Sequence, residues 1–404
     1  MAPYRRSGEA DPPAADDEAR ATSIELFFDL VFVFVITQLS SRLAHDLTLG
    51  GAAKTGLLVL AAWWAWVYTM WATNWFDAGT LVMRGILLVG MFAGMVGAIS
   101  IPDAFGARAW LLVAGYVGIQ VVRNLFVVLG THREDPLYRP VQRIFGWSCA
   151  VMPLWIAGAL VDGSARVVLW SIALALDYAG PLAGHALPGL GRSHPRDWNL
   201  EPSHFVERLE LFLIIALGES IVEAGATASR LSPTLLRLTA VLVAMLMTAA
   251  LWWLYFDTHA GRTFERLQGA ADERGRLGRD LSYLYVLLVA GIIVAAVGNE
   301  LVIAHPSRRL GGAELVALAV GPVLYLLGSV VLKVRVLRVP WERRFIAAVL
   351  VAAAVAVGSS LPGLALWAVV LGILGGLATV EAVETRQEAI APARLSESAV
   401  GPEP

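Results

Sequence analysis

The chain has 404 residues, of which 57% are hydrophobic and only 16% charged, with a mean hydropathy of +0.65. A soluble domain of that composition would leave apolar surface in water, and a net charge of -2 gives nucleic acid no electrostatic hold. The single cysteine, Cys149, excludes a disulfide framework and a cysteine-rich metal site, and reads as a small buried apolar residue.

Residues 1–22 are rich in Asp, Glu, Pro and Ala and lack the apolar core of a signal peptide, so they read as a disordered tail. Apolar stretches then follow at 24–47, 52–73, 80–100, 107–130, 144–161 and 167–187, and again at 205–226, 236–256, 281–304, 314–334, 345–361 and 363–383. Most approach the ~20 residues that cross a ~30 Å hydrocarbon layer. The expected fold is therefore all-α: a polytopic membrane protein of about twelve transmembrane helices, in two halves, 23–190 and 191–385, with a second disordered tail at 386–404. Only Ser359, Ser360, Pro362 and Gly363 separate the last two stretches, which leaves a re-entrant pair open there.

Basic residues orient the spans. Placing the tails and the loops after even-numbered spans on one side gives that side 22 Lys and Arg against 8, with Arg123 inside span four. Positive loops stay cytoplasmic, so both termini are expected inside a bacterial inner (plasma) membrane. The loop 257–280, carrying Arg262, Arg266, Arg274, Arg276 and Arg279, is expected inside as a solvated surface helix.

The two halves share features at near-equal offsets. Glu25-Leu26-Phe27-Phe28-Asp29 opens the first span, and Glu207-Arg208-Leu209-Glu210-Leu211-Phe212 opens the seventh, 182 residues on. Trp75-Phe76-Asp77 closes the second and Tyr255-Phe256-Asp257 the eighth, 180 residues on, each preceded by a tryptophan pair. The spacing predicts duplication. An even number of spans per unit preserves orientation, so the repeats would be parallel, related by an axis along the membrane normal.

Ionisable side chains at membrane depth are costly and usually face a bundle interior or a cavity. Glu25 and Asp29 share a helical face, Glu207 and Glu210 repeat the pattern, and Asp77 and Asp257 return to the same level. These six acids read either as helix caps paired with Arg84, Arg208 or Arg123, or as the entrance for a cation or proton. Glu219, in Leu217-Gly218-Glu219-Ser220-Ile221, lies deep in span seven with Glu223 one turn on. Gly218 suggests close helix approach or a broken backbone, and Ser220 a hydroxyl ligand. Glu219 is expected to face the protein interior, where its charge has to be neutralised by a proton or by an arginine from another span. Asp177 occupies the middle of span six, followed by Gly180, Pro181 and, two turns on, His185; Arg123 and Asn124 supply a counter-charge from span four. Asn299 and Glu300 near the end of span nine read as an outer gate or an interfacial cap. Trp64, Tyr68, Trp71 and Trp75 share a face that suits either interfacial packing or stacking on a ligand.

The stretch from Glu25-Leu26-Phe27-Phe28-Asp29 to Thr37-Gln38-Leu39-Ser40 resembles the bacterial low temperature requirement A family. His204-Phe205-Val206-Glu207-Arg208, Ile214 to Ile221 and Gly298-Asn299-Glu300 look like its further signatures, so the likeness extends over most of 22–383. The resemblance implies a multi-pass membrane protein and supplies no reaction, substrate or ligand map. A more distant similarity, to potassium-selective channels with a Phe-Ser-Asp signature, departs at Phe28, and the second half has no Phe-x-Asp at the corresponding site.

These readings point to a transporter or channel for a small cation or a proton-coupled solute. The contrasting classes are an intramembrane metal-dependent enzyme, using His204 with Glu207 or Asp177 with His185, and a membrane sensor or scaffold. No motif calls for a cofactor. Membrane lipids, a small cation or a proton are the expected partners, nucleic acid is not, and self-association is left open.

Overall fold

The computed structural model describes residues 20–198, 200–257 and 260–399. The helices run α1 (Ser23–His45), α2 (Leu49–Trp75), α3 (Leu81–Ser100), α4 (Ala109–Gly130), α5 (Tyr138–Leu160) and α6 (Gly163–Leu182). They continue as α7 (Pro202–Ser229), α8 (Leu235–Phe256), the short α9 (Ala260–Gln268), α10 (Arg274–Ala304), α11 (Gly312–Leu332), α12 (Glu342–Val357) and α13 (Gly363–Ala399). Among the described residues twelve helices, all but α9, are long and apolar enough to cross a membrane. In lipid every backbone amide must find its partner within the segment, which helices achieve without a neighbour.

Short polar caps decide where several helices begin. Glu25 receives Thr22 through both its backbone N–H and its hydroxyl, the carboxylate half of a capping box on α1. The hydroxyls of Thr48, Thr80 and Thr234 accept from the backbone N–H groups of Gly51, Met83 and Arg237 to start α2, α3 and α8.

Within the first half α1 packs on α3, α3 on α4, α4 on α5, and α5 on α6; within the second α7 packs on α10, α10 on α11, α11 on α12, and α12 on α13. Small residues set the closest crossings in both. A Cβ on Gly115 of α4 would lie 2.5 Å from the Gly97 nitrogen of α3, and one on Gly321 of α11 would lie 2.6 Å from the Ala295 nitrogen of α10. Burial of apolar surface does not drive association among lipid tails, so such backbone proximity supplies the van der Waals contact that does.

The halves meet along α1 and α7. Glu25 pairs with His204, Asp29 with Arg208 and Ser40 with Glu219, each pair 179 residues apart. A constant offset along two helices requires them to run parallel, as a repeat unit of six spans predicts.

Several expectations need correction. The sixth apolar stretch ends as a helix at Leu182, just past Pro181; His185 lies beyond it, at a left-handed φ of 48°. The expected helical face shared by Asp177 and His185 therefore does not exist. Helix α7 is continuous through Gly218, and a Cβ there would meet nothing within 4 Å, so Gly218 neither breaks the backbone nor admits a close neighbour. Cys149 is exposed on α5 rather than buried. Helix α9 is not merely a solvated surface helix, since Thr263 and Leu267 are fully buried. Helix α13 continues through Ala399, over a stretch expected to be a disordered tail; its Glu, Arg, Gln and Ala residues favour helix. Residues 1–19 and 400–404 of the expected tails lie outside the described residues.

Candidate functional site

At the end of the bundle where α1 and α7 begin, two buried acids share two basic groups. Arg208 donates to Asp29 through Nη1 at 2.6 Å and Nη2 at 2.9 Å, and Trp66 Nε1 adds a third donor to Asp29 at 2.8 Å. His204 Nε2 lies 2.9 Å from Glu25 Oε1, with Arg208 Nε 3.6 Å from the same oxygen. His204 Nδ1 lies 3.2 Å from Asn74 Nδ2, at the end of α2, so the imidazole is engaged on both sides. Planar guanidinium against carboxylate is the geometry that best repays removal of both ions from water. Glu25 and Asp29 thus belong to a clamp between the halves, and their partner is Arg208, not Arg84 or Arg123.

The remaining acids expected at this level do not join that clamp. Glu207 Oε2 accepts from the Ala21 backbone N–H at 2.8 Å. Asp77 accepts from the Gly79 backbone at 2.7 Å, and Asp257 is exposed just after α8. Glu210 is half-buried, with Glu207 as its charged neighbour. His204 contacts Glu25 rather than Glu207, which removes the metal-ligand pairing proposed for those two residues.

Toward the other end of α7, Glu219 is 1% exposed. Its Oε1 accepts from the Ser40 hydroxyl at 3.3 Å and the Thr37 hydroxyl lies within electrostatic reach, while its Oε2 is buried and accepts no hydrogen bond of ordinary geometry among the described residues. Glu223 and Glu300 lie within electrostatic reach, and Glu300 Oε2 is likewise buried and unpartnered. Neutral polar groups complete the surroundings: Asn299 donates to Ser220 Oγ at 3.2 Å, Ser220 Oγ lies 3.3 Å from Thr248 Oγ1, and Trp367 donates to Asn299 at 2.8 Å. Among the described residues no three His, Cys, Asp or Glu side chains converge on a point that could hold a metal ion. An acid with a free oxygen, flanked by further acids and hydroxyls without a chelating triad, suits a proton or a monovalent cation.

A third polar group lies in the first half. Asp177 Oδ2 accepts from Tyr116 at 2.9 Å and Trp155 at 3.1 Å. Arg123, 4% exposed, forms no ion pair with it. Its guanidinium instead donates to Gln120 and Asn124, stacks 4.8 Å from the Tyr68 ring centroid and leaves Nη1 without a partner among the described residues. Glu219 sits in the α1–α7 seam with Ser40, and Asp177 with Tyr116 and Trp155 in the first half. Glu219 and Asp177 thus belong to separate polar centres, and Arg123 forms an ion pair with neither among the described residues.

Sequence reasoning did not find Ser40, Thr248, Trp367, Tyr116 or Trp155, all of which act across helices. Tyr116 and Gln120 were detectable, since they continue the face of α4 that carries Arg123. Ser40, Thr248, Trp155 and Trp367 offer no such local signal.

The fold and these charged interiors define a polytopic helical membrane protein. Residues 20–379 match the family model described as bacterial low temperature requirement A protein (LtrA), and the chain belongs to that family. It is also 35% identical over 320 residues to an uncharacterized protein of Rhizobium meliloti (strain 1021), an alignment covering 78% of each chain. No solved structure matches.

Proposed function

We propose that this protein is a transporter or channel that moves a small cation or a proton, alone or coupled to a solute, with Glu219 as the residue that carries the ion. The observation behind this reading is the unpartnered, fully buried Oε2 of Glu219 beside Glu223 and Glu300. Burying an acid at membrane depth costs at least ~2.5 kcal/mol, and no basic side chain bonds to it. The clamp of Asp29 and Arg208 shows what a structural acid looks like in this chain: every oxygen is saturated by donors. Glu219 is built differently. The parallel α1–α7 seam and the matching order of helix contacts support two parallel six-helix repeats, so that the ion site lies in the seam between repeats, as in other two-fold transporters. The basic-loop asymmetry supports an inner-membrane location with both termini cytoplasmic.

The test is flux in liposomes reconstituted with the purified protein, read with pH- and cation-sensitive dyes under gradients of either sign. Wild-type protein is expected to dissipate a proton or monovalent-cation gradient, and Glu219→Gln to reduce the rate at least about tenfold, the effect of a ~1.4 kcal/mol change in barrier. No flux in either direction, or equal flux from Glu219→Gln, refutes the reading.

A further inference from the structure

Where the two halves meet, on the same side of the molecule as the start of α1, the rings of Trp64, Tyr68, Trp71 and Trp75 from α2 face a small cavity of about 30 Å3. Trp198, from the segment before α7, and Tyr283, from α10, close it. The aromatic stripe is therefore not an interfacial belt: Trp64 is 1% exposed and Trp71 7%. Trp64 stacks on Tyr178 with ring centroids 4.0 Å apart, and Trp71 Nε1 is held by Ser282 Oγ at 3.0 Å. The walls are thus fixed rather than loosely packed.

Three polar atoms of these walls make no hydrogen bond of ordinary geometry among the described residues: Trp198 Nε1, His185 Nδ1, and Trp64 Nε1, which has only the Tyr68 hydroxyl within electrostatic reach. His185 is 2% exposed and is anchored by its other nitrogen, 2.9 Å from the Tyr68 hydroxyl. Buried polar groups are nearly always satisfied, and an unpaired one costs ~1–3 kcal/mol, so three on one cavity call for something that pairs with them. Two are indole N–H groups, which can only donate. No carboxylate lines the cavity; its one charged group is Arg279, whose Nη2 is paired with Asp280 at 2.9 Å, and a second guanidinium, Arg123, lies against the Tyr68 ring. An aromatic box for a cation needs the reverse, an acid or at least no competing cation.

The cavity adjoins a vestibule of about 570 Å3, and the two share Trp75 and Trp198 as walls. The vestibule is polar, with Arg196, Asp197, Glu201, Asp272 and Arg274 around it. The cavity by itself admits roughly two waters. A larger guest therefore reaches the unpaired N–H groups from the vestibule side, past Trp75 and Trp198.

We propose that this junction binds a planar aromatic or heteroaromatic molecule bearing hydrogen-bond acceptors, a carbonyl or carboxylate, and excludes organic cations. The proposal deepens the transport reading by naming a solute class, and it is tested by binding, which needs no flux.

The full-length protein in nanodiscs is titrated with radiolabelled 2-naphthoate, 2-naphthamide and (2-naphthyl)trimethylammonium, with empty nanodiscs as the partition blank. Saturable binding of the naphthoate or the naphthamide, and none of the ammonium compound, is expected. The Trp64→Phe/Trp198→Phe variant keeps an aromatic ring at each position and removes the N–H donors, and is expected to bind about tenfold more weakly; Trp252→Phe, the same change at an exposed tryptophan, is expected to bind as wild type. Absence of saturable binding, preference for the ammonium compound, or unchanged affinity in the double variant overturns the proposal. Should that variant fail to fold, photolabelling of the wild type by benzophenone-4-carboxylate decides: crosslinks on the peptides holding His185 or Trp198 support the site, and labelling only elsewhere overturns it. Binding retained in Glu219→Gln while flux is lost supports both readings. Flux without binding removes only this one.

Discussion

At the scale of single residues, this chain uses buried charge in two ways. Asp29 is saturated by Arg208 and Trp66 and holds α1 to α7, whereas Glu219 keeps an oxygen free. His185, in the turn after α6, is a third case. Burial drives its pKa down to about 3, from an ordinary value near 6.5. Tyr68, Trp147 and Trp198 face it, Arg279 shares its cavity wall, and Arg123 lies beyond the Tyr68 ring. The folded protein therefore binds fewer protons at this site than the unfolded chain between those two values. Its contribution to stability is complete above about pH 6.5 and is lost as pH falls toward 3. Thermal melting of the detergent-solubilised protein should show a shallower loss of Tm between pH 6.5 and 3.5 in His185→Phe than in wild type; parallel curves would disprove the assignment.

At the scale of helices, apolar stretches located the spans to within about two helical turns at either end but said little about which faces meet. Glycine shows why. Gly218, beside the candidate ion carrier, looks like a packing or hinge residue from sequence, yet its Cβ position is open. Gly115 carries no motif, yet α4 touches the backbone of α3 there, at Gly97 and Ala93. Gly115→Ala is expected to cost about 1–3 kcal/mol as the crossing is forced apart, and Gly218→Ala to be neutral or slightly stabilising through helix propensity. Unfolding midpoints in detergent and denaturant should separate the two; equal midpoints would show that this crossing does not limit stability.

At the scale of the whole molecule, the parallel pairing of α1 with α7 shows that these two spans point the same way. Which way they point is a matter of charge, because inner loops retain arginine. Arg274→Cys, introduced into a Cys149→Ser background, should react with a membrane-impermeant maleimide only after the cells are permeabilised. Labelling in intact cells would invert the proposed topology, and with it the side from which the vestibule at Arg196 and Arg274 opens.

Composition and hydropathy by themselves determined the solvent, the helical class and the approximate spans, because lipid demands long apolar helices whatever their neighbours. The acids worth attention were legible for the same reason: Glu25, Asp29, Asp177 and Glu219 stand out against an apolar background. Their roles were not legible. Arg208 was one of three arginines offered to Glu25 and Asp29, and only the register of α1 on α7 selected it. Arg123 and Asp177 looked like partners, but the packing of α4, α5 and α6 gave Asp177 to Tyr116 and Trp155. The aromatic stripe on α2 suited packing and ligand stacking equally well until Trp198, His185 and Tyr283 closed a cavity over it. Partner choice between helices depends on rotation and register, which local hydrophobicity does not encode and only tertiary packing decides.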